Sequence, residues 1–322
     1  MLRRGSVLAL AVAARRSWDD SWLYTVLALL SAQVGFLALV YTRPGIVAVV
    51  LWYAVPPLVL VATASLLLVA FVRSWRARQG PSGRQVAGYA ALLIIVVSIA
   101  AFRIYPSAHD DAPSRVRFRM PLDSPVTVAW GGPTLSENYH AVMPDQRWAY
   151  DLLVTRNGSS FQETGTRLED YYAYGREVVA PAGGVVRHMQ NGEPDGSIGQ
   201  RRLRRAFGNH VVLEVAPKEF LFIAHLQPAS ITVRPGDRVS AGQAIGRVGN
   251  SGNSSEPHVH LHLQDRPTPS LGEAIPFYFY GYRLDGLEVL QGMPRGGRTV
   301  RTRVRTGAFT GDIIEHRHPE EE

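Results

Sequence analysis

Between Ser21 and Tyr41 no side chain carries a charge, and the same holds from Ile46 to Val72 and from Val86 to Phe102. About 20 apolar residues suffice to cross a bilayer as a helix. These runs therefore predict an N-terminal bundle of three transmembrane helices, a membrane anchor over residues 21–104. Trp22, Tyr24 and Tyr41 lie near the ends of the first run, where amphipathic rings favour the headgroup region. Pro56 and Pro57 interrupt the second, which reads as a kinked helix or as a re-entrant pair of short segments.

Arginine placement sets the orientation, because cytoplasmic loops retain basic residues near the membrane. Arg3, Arg4, Arg15 and Arg16 precede the first run, and Arg73, Arg76, Arg78 and Arg84 lie between the second and third. The short loop from Thr42 to Gly45 holds only Arg43. Residues 1–20 are thus expected as a cytoplasmic tail, and everything after about Tyr105 outside. Val7 to Ala14 is too short for a signal peptide, and Arg15, Arg16, Asp19 and Asp20 follow it without a small-residue cleavage site.

The formal charge of +7 lies wholly within residues 1–85, where those nine arginines face only Asp19 and Asp20. The rest is neutral overall, so a lipid bilayer, and not nucleic acid, is the partner that the charge implies. The chain has no cysteine. That excludes a disulfide framework, thiolate zinc ligands and a cysteine nucleophile, and leaves any metal to His, Asp or Glu.

A polar linker is expected over residues 105–119, followed by an extracytoplasmic domain over 120–290 and a mobile C-terminal tail over 291–322. In the domain the chain alternates short β-type runs with Gly and Pro: Val126 to Trp130, Ala149 to Val154, Glu177 to Val186, His210 to Val215, Phe220 to Leu226, Ala244 to Val248 and His258 to Leu263. That spacing predicts an all-β, mainly antiparallel domain.

The stretch Pro257-His-Val-His-Leu-His-Leu263 is the most informative part of it. On a strand, residues two apart share a face, so His258, His260 and His262 stand opposite Val259, Leu261 and Leu263. One face packs apolar, and the other presents imidazoles suited to a metal or to proton transfer.

Several segments in order resemble the LytM/lysostaphin-like zinc metallopeptidases of peptidase family M23. They are Tyr174 to Val186, Gly208 to Glu214, Phe222 to Gln227, the turn-rich Val233 to Gly246, and Pro257-His-Val-His260. The resemblance runs from about His140 to Asp265 and implies a LytM-like domain of the duplicated hybrid motif type. It implies one zinc ion, held by His140, Asp151 and His260, with His225 and His258 as non-ligating catalytic histidines. It also implies peptidoglycan peptides as substrate, and with the topology above, a bacterial inner membrane with the peptidase on the outer side. The pattern departs at His140. The family commonly has three residues between this histidine and the aspartate, whereas here Ala141 to Tyr150 intervene. Two strands of a hairpin turning at Pro144-Asp145 would bring His140 and Asp151 together; the alternative is a lost first ligand and weak metal binding.

Two neutral imidazoles and one carboxylate leave a zinc site of charge +1 with a position for water, whose pKa falls towards about 7. His262 is either a support for a ligand or an exposed strand residue. His316 and His318 read as tail, and His109, His188 and His210 as exposed. Arg201, Arg202, Arg204 and Arg205, in an insert between Gly192 and Gly208, read as a solvated loop or as a contact for anionic lipid or wall polymer. Two rival functions stand beside the peptidase. One is a non-catalytic wall-binding or activator relative, which would be expected to have lost ligands. The other is a transporter, which the absence of ionisable residues within the three runs disfavours.

Overall fold

The computed structural model describes residues 45–76, 86–91, 104–297 and 312–316, with a few further positions between 31 and 40 and between 82 and 94. The chain divides into two compact units, Met1–Arg103 and Ile104–Glu322.

In the first unit, α1 (Ile46–Arg76) is one continuous 31-residue helix, about 46 Å long at 1.5 Å per residue. Its Ile46–Ser65 stretch has a mean hydropathy of 2.2, the one helix among the described residues long and apolar enough to cross a membrane. Pro56 and Pro57 bring no N–H to the helical ladder, yet the helix runs through them. A re-entrant pair is therefore excluded for this run. Thr63 and Ser65 turn their hydroxyls back onto the carbonyls of Val59 and Val61, 2.8 Å away, so their polar groups need no water. Most of the first apolar run and about half of the third lie outside the described residues.

The second unit is built from β1 (Val126–Trp130), β2 (Tyr150–Leu153), β3 (Glu177–Val179), β4 (Gly184–Gln190), β5 (Asn209–Ala216), β6 (Glu219–Leu226), β7 (Arg238–Val239), β8 (Ala244–Arg247), β9 (Val259–Gln264), β10 (Phe279–Leu284), β11 (Leu287–Gly292) and β12 (Ile313–His316). Ten strands form one sheet in the order β11-β10-β12-β1-β2-β9-β6-β5-β4-β7, and β3 pairs with β8 in a second. Every strand pairing is antiparallel.

Alternation sorts the faces of the large sheet. Tyr150 and Leu152 of β2, Val259, Leu261 and Leu263 of β9, Leu221 and Ile223 of β6, and Val211 and Leu213 of β5 are all buried in one core. The Tyr150 ring packs edge-on against Phe277 and Phe279, 5.2 and 5.0 Å between centroids. Such burial contributes roughly 1.5–3 kcal/mol per large side chain, and it fixes which residues face the other way. The register sets Asp151 directly opposite His260, Ala224 opposite His260 on the other side, and Phe222 opposite His262.

Three boundaries differ from expectation. Residues 105–119 are docked on the domain and do not form a free linker. Tyr105 is fully buried, its N–H donates to the Ala141 carbonyl at 3.2 Å, and its hydroxyl bonds Glu273. Ser107 bonds the Ala274 carbonyl, and Phe118 is fully buried against Phe277. The tail expected from residue 291 contains β12, which inserts between β10 and β1 and buries Ile314. The single run expected from Glu177 to Val186 is two strands in different sheets, separated by Ala180 to Gly183.

Candidate metal centre

His140, Asp151 and His260 each present one donor atom to a common point, with those atoms within 4.8 Å of one another. All three are buried, at 3%, 6% and 2% exposure. His140 Nε2 lies 3.7 Å from Asp151 Oδ2, and His260 Nδ1 lies 2.8 Å from Asp151 Oδ1. The donors come from β2, β9 and a 3-10 turn, Tyr139–Val142. His140 is thus not on a hairpin strand as expected, although it does meet Asp151. Asn138 caps that turn: its Oδ1 accepts the His140 backbone N–H at 3.1 Å. The same oxygen accepts the ring Nδ1–H at 2.9 Å. Asn138 therefore fixes the His140 tautomer and leaves the Nε2 lone pair facing Asp151.

His225 and His258 complete the pocket, with ring centroids 4.7 Å apart. His225 Nδ1 donates to the Ser251 carbonyl and His258 Nδ1 to the Glu256 carbonyl, both at 2.8 Å. His258 Nε2 lies 3.5 Å from Asp151 Oδ1, and the His225 ring centroid lies 5.6 Å from that of His260. His225, the penultimate residue of β6, is in the left-handed region, at φ 62°. For a non-glycine residue that conformation costs of order 1–3 kcal/mol, and here the backbone N–H bond to the Phe207 carbonyl and the ring bond to the Ser251 carbonyl hold it. His258 stands one residue before β9, not on it.

Burial and charge divide the protons. Burial pushes His140 down to about 3, against the pull of Asp151. Burial also carries His225 well below the ordinary range, helped by the neighbouring His258 and His260. Burial alone would raise Asp151, but His140 and His258 outweigh it and hold the carboxyl well below its usual value. His258 is the exception: burial lowers it, the Asp151 charge and hydrogen bond outweigh that, and its pKa is raised.

His262 is fully buried, which excludes the exposed-strand alternative. Its Nδ1 lies 3.0 Å from His260 Nε2 and its ring stacks on Phe222 at 4.5 Å. When His260 Nε2–H donates to it, His260 Nδ1 is left as a lone pair beside Asp151. His262→Leu is expected to weaken zinc binding roughly 10- to 100-fold, the range for outer-shell partners, as measured by chelator competition. An unchanged affinity would remove His262 from the supporting shell.

His140, His225 and His262 share a depressed folded pKa, which fixes a pH dependence. The unfolded chain binds the extra protons, so the stability these groups contribute is present above their ordinary value of 6.5 and is lost as pH falls below it. His210 is lowered likewise, while His258 and the half-buried His109 are raised and oppose with the reverse sign, two groups against four. The chelated protein should therefore melt lower at pH 5.5 than at pH 7.5, with each histidine supplying up to about 1.4 kcal/mol per pH unit. A melting temperature that rises on acidification would contradict this assignment.

Of the histidines expected to be exposed, His188 is exposed and His109 is half-buried near Asp265, while His210 is buried and its Nδ1 bonds the Gly208 carbonyl at 2.8 Å. His316 lies in β12 and His318 outside the described residues. Two residues beside the centre carried no expectation, Asn138 and Tyr139. The Tyr139 hydroxyl lies 3.4 Å from Asp151 Oδ2, and burial, then the Asp151 charge, push its pKa up. The Asn-Tyr-His sequence was the available signal for both, since Asn is a preferred helix cap.

The chain is 34% identical over 105 residues to the peptidoglycan DD-endopeptidase ShyA of Vibrio cholerae, a match that takes in 30% of this chain and 24% of that protein. The chain thus matches about a quarter of this relative's length. Among solved structures it is similar to a zinc-containing peptidase from Vibrio cholerae, at 20% identity over 50% of this chain and 41% of that one, with a TM-score of 0.32. It is also similar to the catalytic domain of lysostaphin from Staphylococcus simulans, at 19% identity over 46% and 86% of the two chains, with a TM-score of 0.29. The model of peptidase family M23 matches residues 164–270, which include His225, His258 and His260, with His140 and Asp151 upstream of the matched span. Over residues 164–270 the chain is thus similar to peptidase family M23.

Proposed function

We propose that the chain is a membrane-anchored zinc endopeptidase that hydrolyses peptide bonds of bacterial peptidoglycan. The observation that carries this reading is the convergence of His140, Asp151 and His260, with Asn138 fixing the His140 lone pair and His262 within hydrogen-bond reach of His260 Nε2. The donor chemistry fits zinc, which takes two imidazoles and a carboxylate in hydrolases and keeps a place for solvent. When bound, zinc supplies a Lewis acid that polarises a carbonyl and acidifies water.

The remaining work falls to the chain. His225, neutral by burial and with Nδ1–H committed to Ser251, has its Nε2 lone pair free to take a proton from the attacking water. His258, whose pKa the Asp151 charge and hydrogen bond raise against burial, can donate from Nε2 to the developing oxyanion or to the leaving amine. Two imidazoles whose environments push them apart in pKa suit a base and an acid in one pocket. Helix α1 and the apolar runs around it would hold the chain in the cytoplasmic membrane, with the peptidase outside.

The test pairs metal analysis of the purified full-length protein with release of peptide fragments from isolated peptidoglycan. Bound zinc and soluble fragments are expected. No metal and no fragments would end the enzyme reading and leave a wall-binding or activator domain.

A further inference from the structure

The arginine-rich insert is fastened to the elements that hold the catalytic histidines. Arg202 N–H donates to the Gly252 carbonyl, Asn253 N–H to the Ala206 carbonyl, and His225 N–H to the Phe207 carbonyl, at 3.1, 2.8 and 3.1 Å. The two loops touch backbone to backbone. A Cβ on Gly208 would come 2.4 Å from the Ser251 carbonyl carbon, and one on Gly252 would come 2.4 Å from the Gly208 nitrogen. Both glycines also have positive φ, 55° and 80°, so the contact depends on them. An untethered, fully solvated loop would not be held this way.

What the insert presents is charge beside a cavity. A cavity of about 510 Å³ is lined by Arg204, Arg205, Glu193, His210, Phe207 and Ser270, among others. Phe207 connects it to the metal centre, with its ring centroid 5.1 Å from His262 and 6.1 Å from His260. Arg205 is neutralised by Glu193, whereas Arg204 has no ion-pair partner among the described residues. Arg201 is exposed and outside the cavity lining, and its charge opposes the rise in the Tyr139 pKa. His210, 8% exposed, has a buried Nε2 with no hydrogen-bond partner, while its Nδ1 is committed to Gly208. The cavity therefore offers a free guanidinium donor and an imidazole acceptor one aromatic ring away from the proposed scissile bond.

We infer that the Arg201–Arg205 insert and this cavity form a subsite for a free carboxylate of the peptide substrate, with the His210 Nε2 accepting an adjacent N–H. The inference rests on the peptidoglycan reading and names what the site selects within it. Guanidinium and carboxylate pair through two parallel hydrogen bonds, which an amide cannot reproduce. A residue spans about 3.5 Å of extended chain, so the recognised carboxylate lies within a few residues of the cleaved bond.

The experiment is co-sedimentation of the full-length protein with peptidoglycan sacculi, native or with their free carboxyl groups converted to amides. Native sacculi should bind roughly ten- to a hundredfold tighter than amidated ones, the range for a charge-assisted contact. The Arg201→Ala/Arg204→Ala double variant should lose that preference and keep its zinc. Arg234→Ala/Arg238→Ala removes the same charge at exposed positions outside the cavity and should keep the preference. Equal binding to both sacculi, or equal loss in both double variants, would overturn the subsite. Binding is also scored in the Asp151→Ala protein. A carboxylate preference there, with no cleavage by the wild type, would keep the subsite and sink the hydrolase; cleavage without preference would do the reverse.

Discussion

Substitution of His140 by alanine is expected to abolish zinc retention and peptide hydrolysis together. Its Nε2 is one of three donors, the Asn138 bond to Nδ1 fixes the lone pair, and the ring is buried at 3% exposure. Without it two protein donors remain, Asp151 and His260, fewer than hydrolytic zinc sites use. The loss should exceed the 10- to 100-fold cost of removing an outer-shell partner. Metal content after dialysis measures it. Zinc retained at the wild-type level would show that the 3-10 turn plays no part in holding the metal. Asn138→Leu should reproduce a weaker form of the same defect, because Nδ1 loses its acceptor while the Nε2 donor itself remains.

The second large effect separates chemistry from metal binding. His258→Ala is expected to keep zinc and lower kcat by about 10²- to 10⁴-fold, the usual contribution of one acid-base group. His258 sits 3.5 Å from Asp151 through Nε2 but is not among the three converging donors. Wild-type kcat should fall at high pH as the raised His258 loses its proton, and the variant should lack that limb. A variant with lost zinc would place His258 among the ligands, and one with unchanged kcat would remove it from the reaction.

Much of the site could be read from the chain because β geometry has a period of two. His258, His260 and His262 alternate with Val259, Leu261 and Leu263, and the aliphatic set is buried as that pattern demands. Asp151 follows from Tyr150 and Leu152 in the same way, since its neighbours pack inward and it cannot. His140 was harder. Its separation from Asp151 spans a turn whose path no periodicity encodes, and a capped 3-10 turn does its work through a side chain, Asn138, that carries no apolar signal.

The least legible parts are long-range. Ile313–His316 lies after an arginine-rich stretch and finds partners in β10 and β1, far away in sequence. Only tertiary packing reveals it. Tyr105 and Phe118 are single aromatics in polar surroundings, and their burial depends on pockets made by Glu273 and Phe277. The arginine insert shows the same limit: its charge is plain in the sequence, but its place beside His260 arises from the Gly208 and Gly252 contact.

The most direct measurement is X-ray absorption spectroscopy at the zinc edge, on the full-length protein and on Asp151→Ala. The account predicts nitrogen and oxygen donors at about 2.0–2.2 Å, two imidazoles and a carboxylate among them, and a signal lost in the variant. Zinc that stays bound in Asp151→Ala with unchanged donor distances would contradict it.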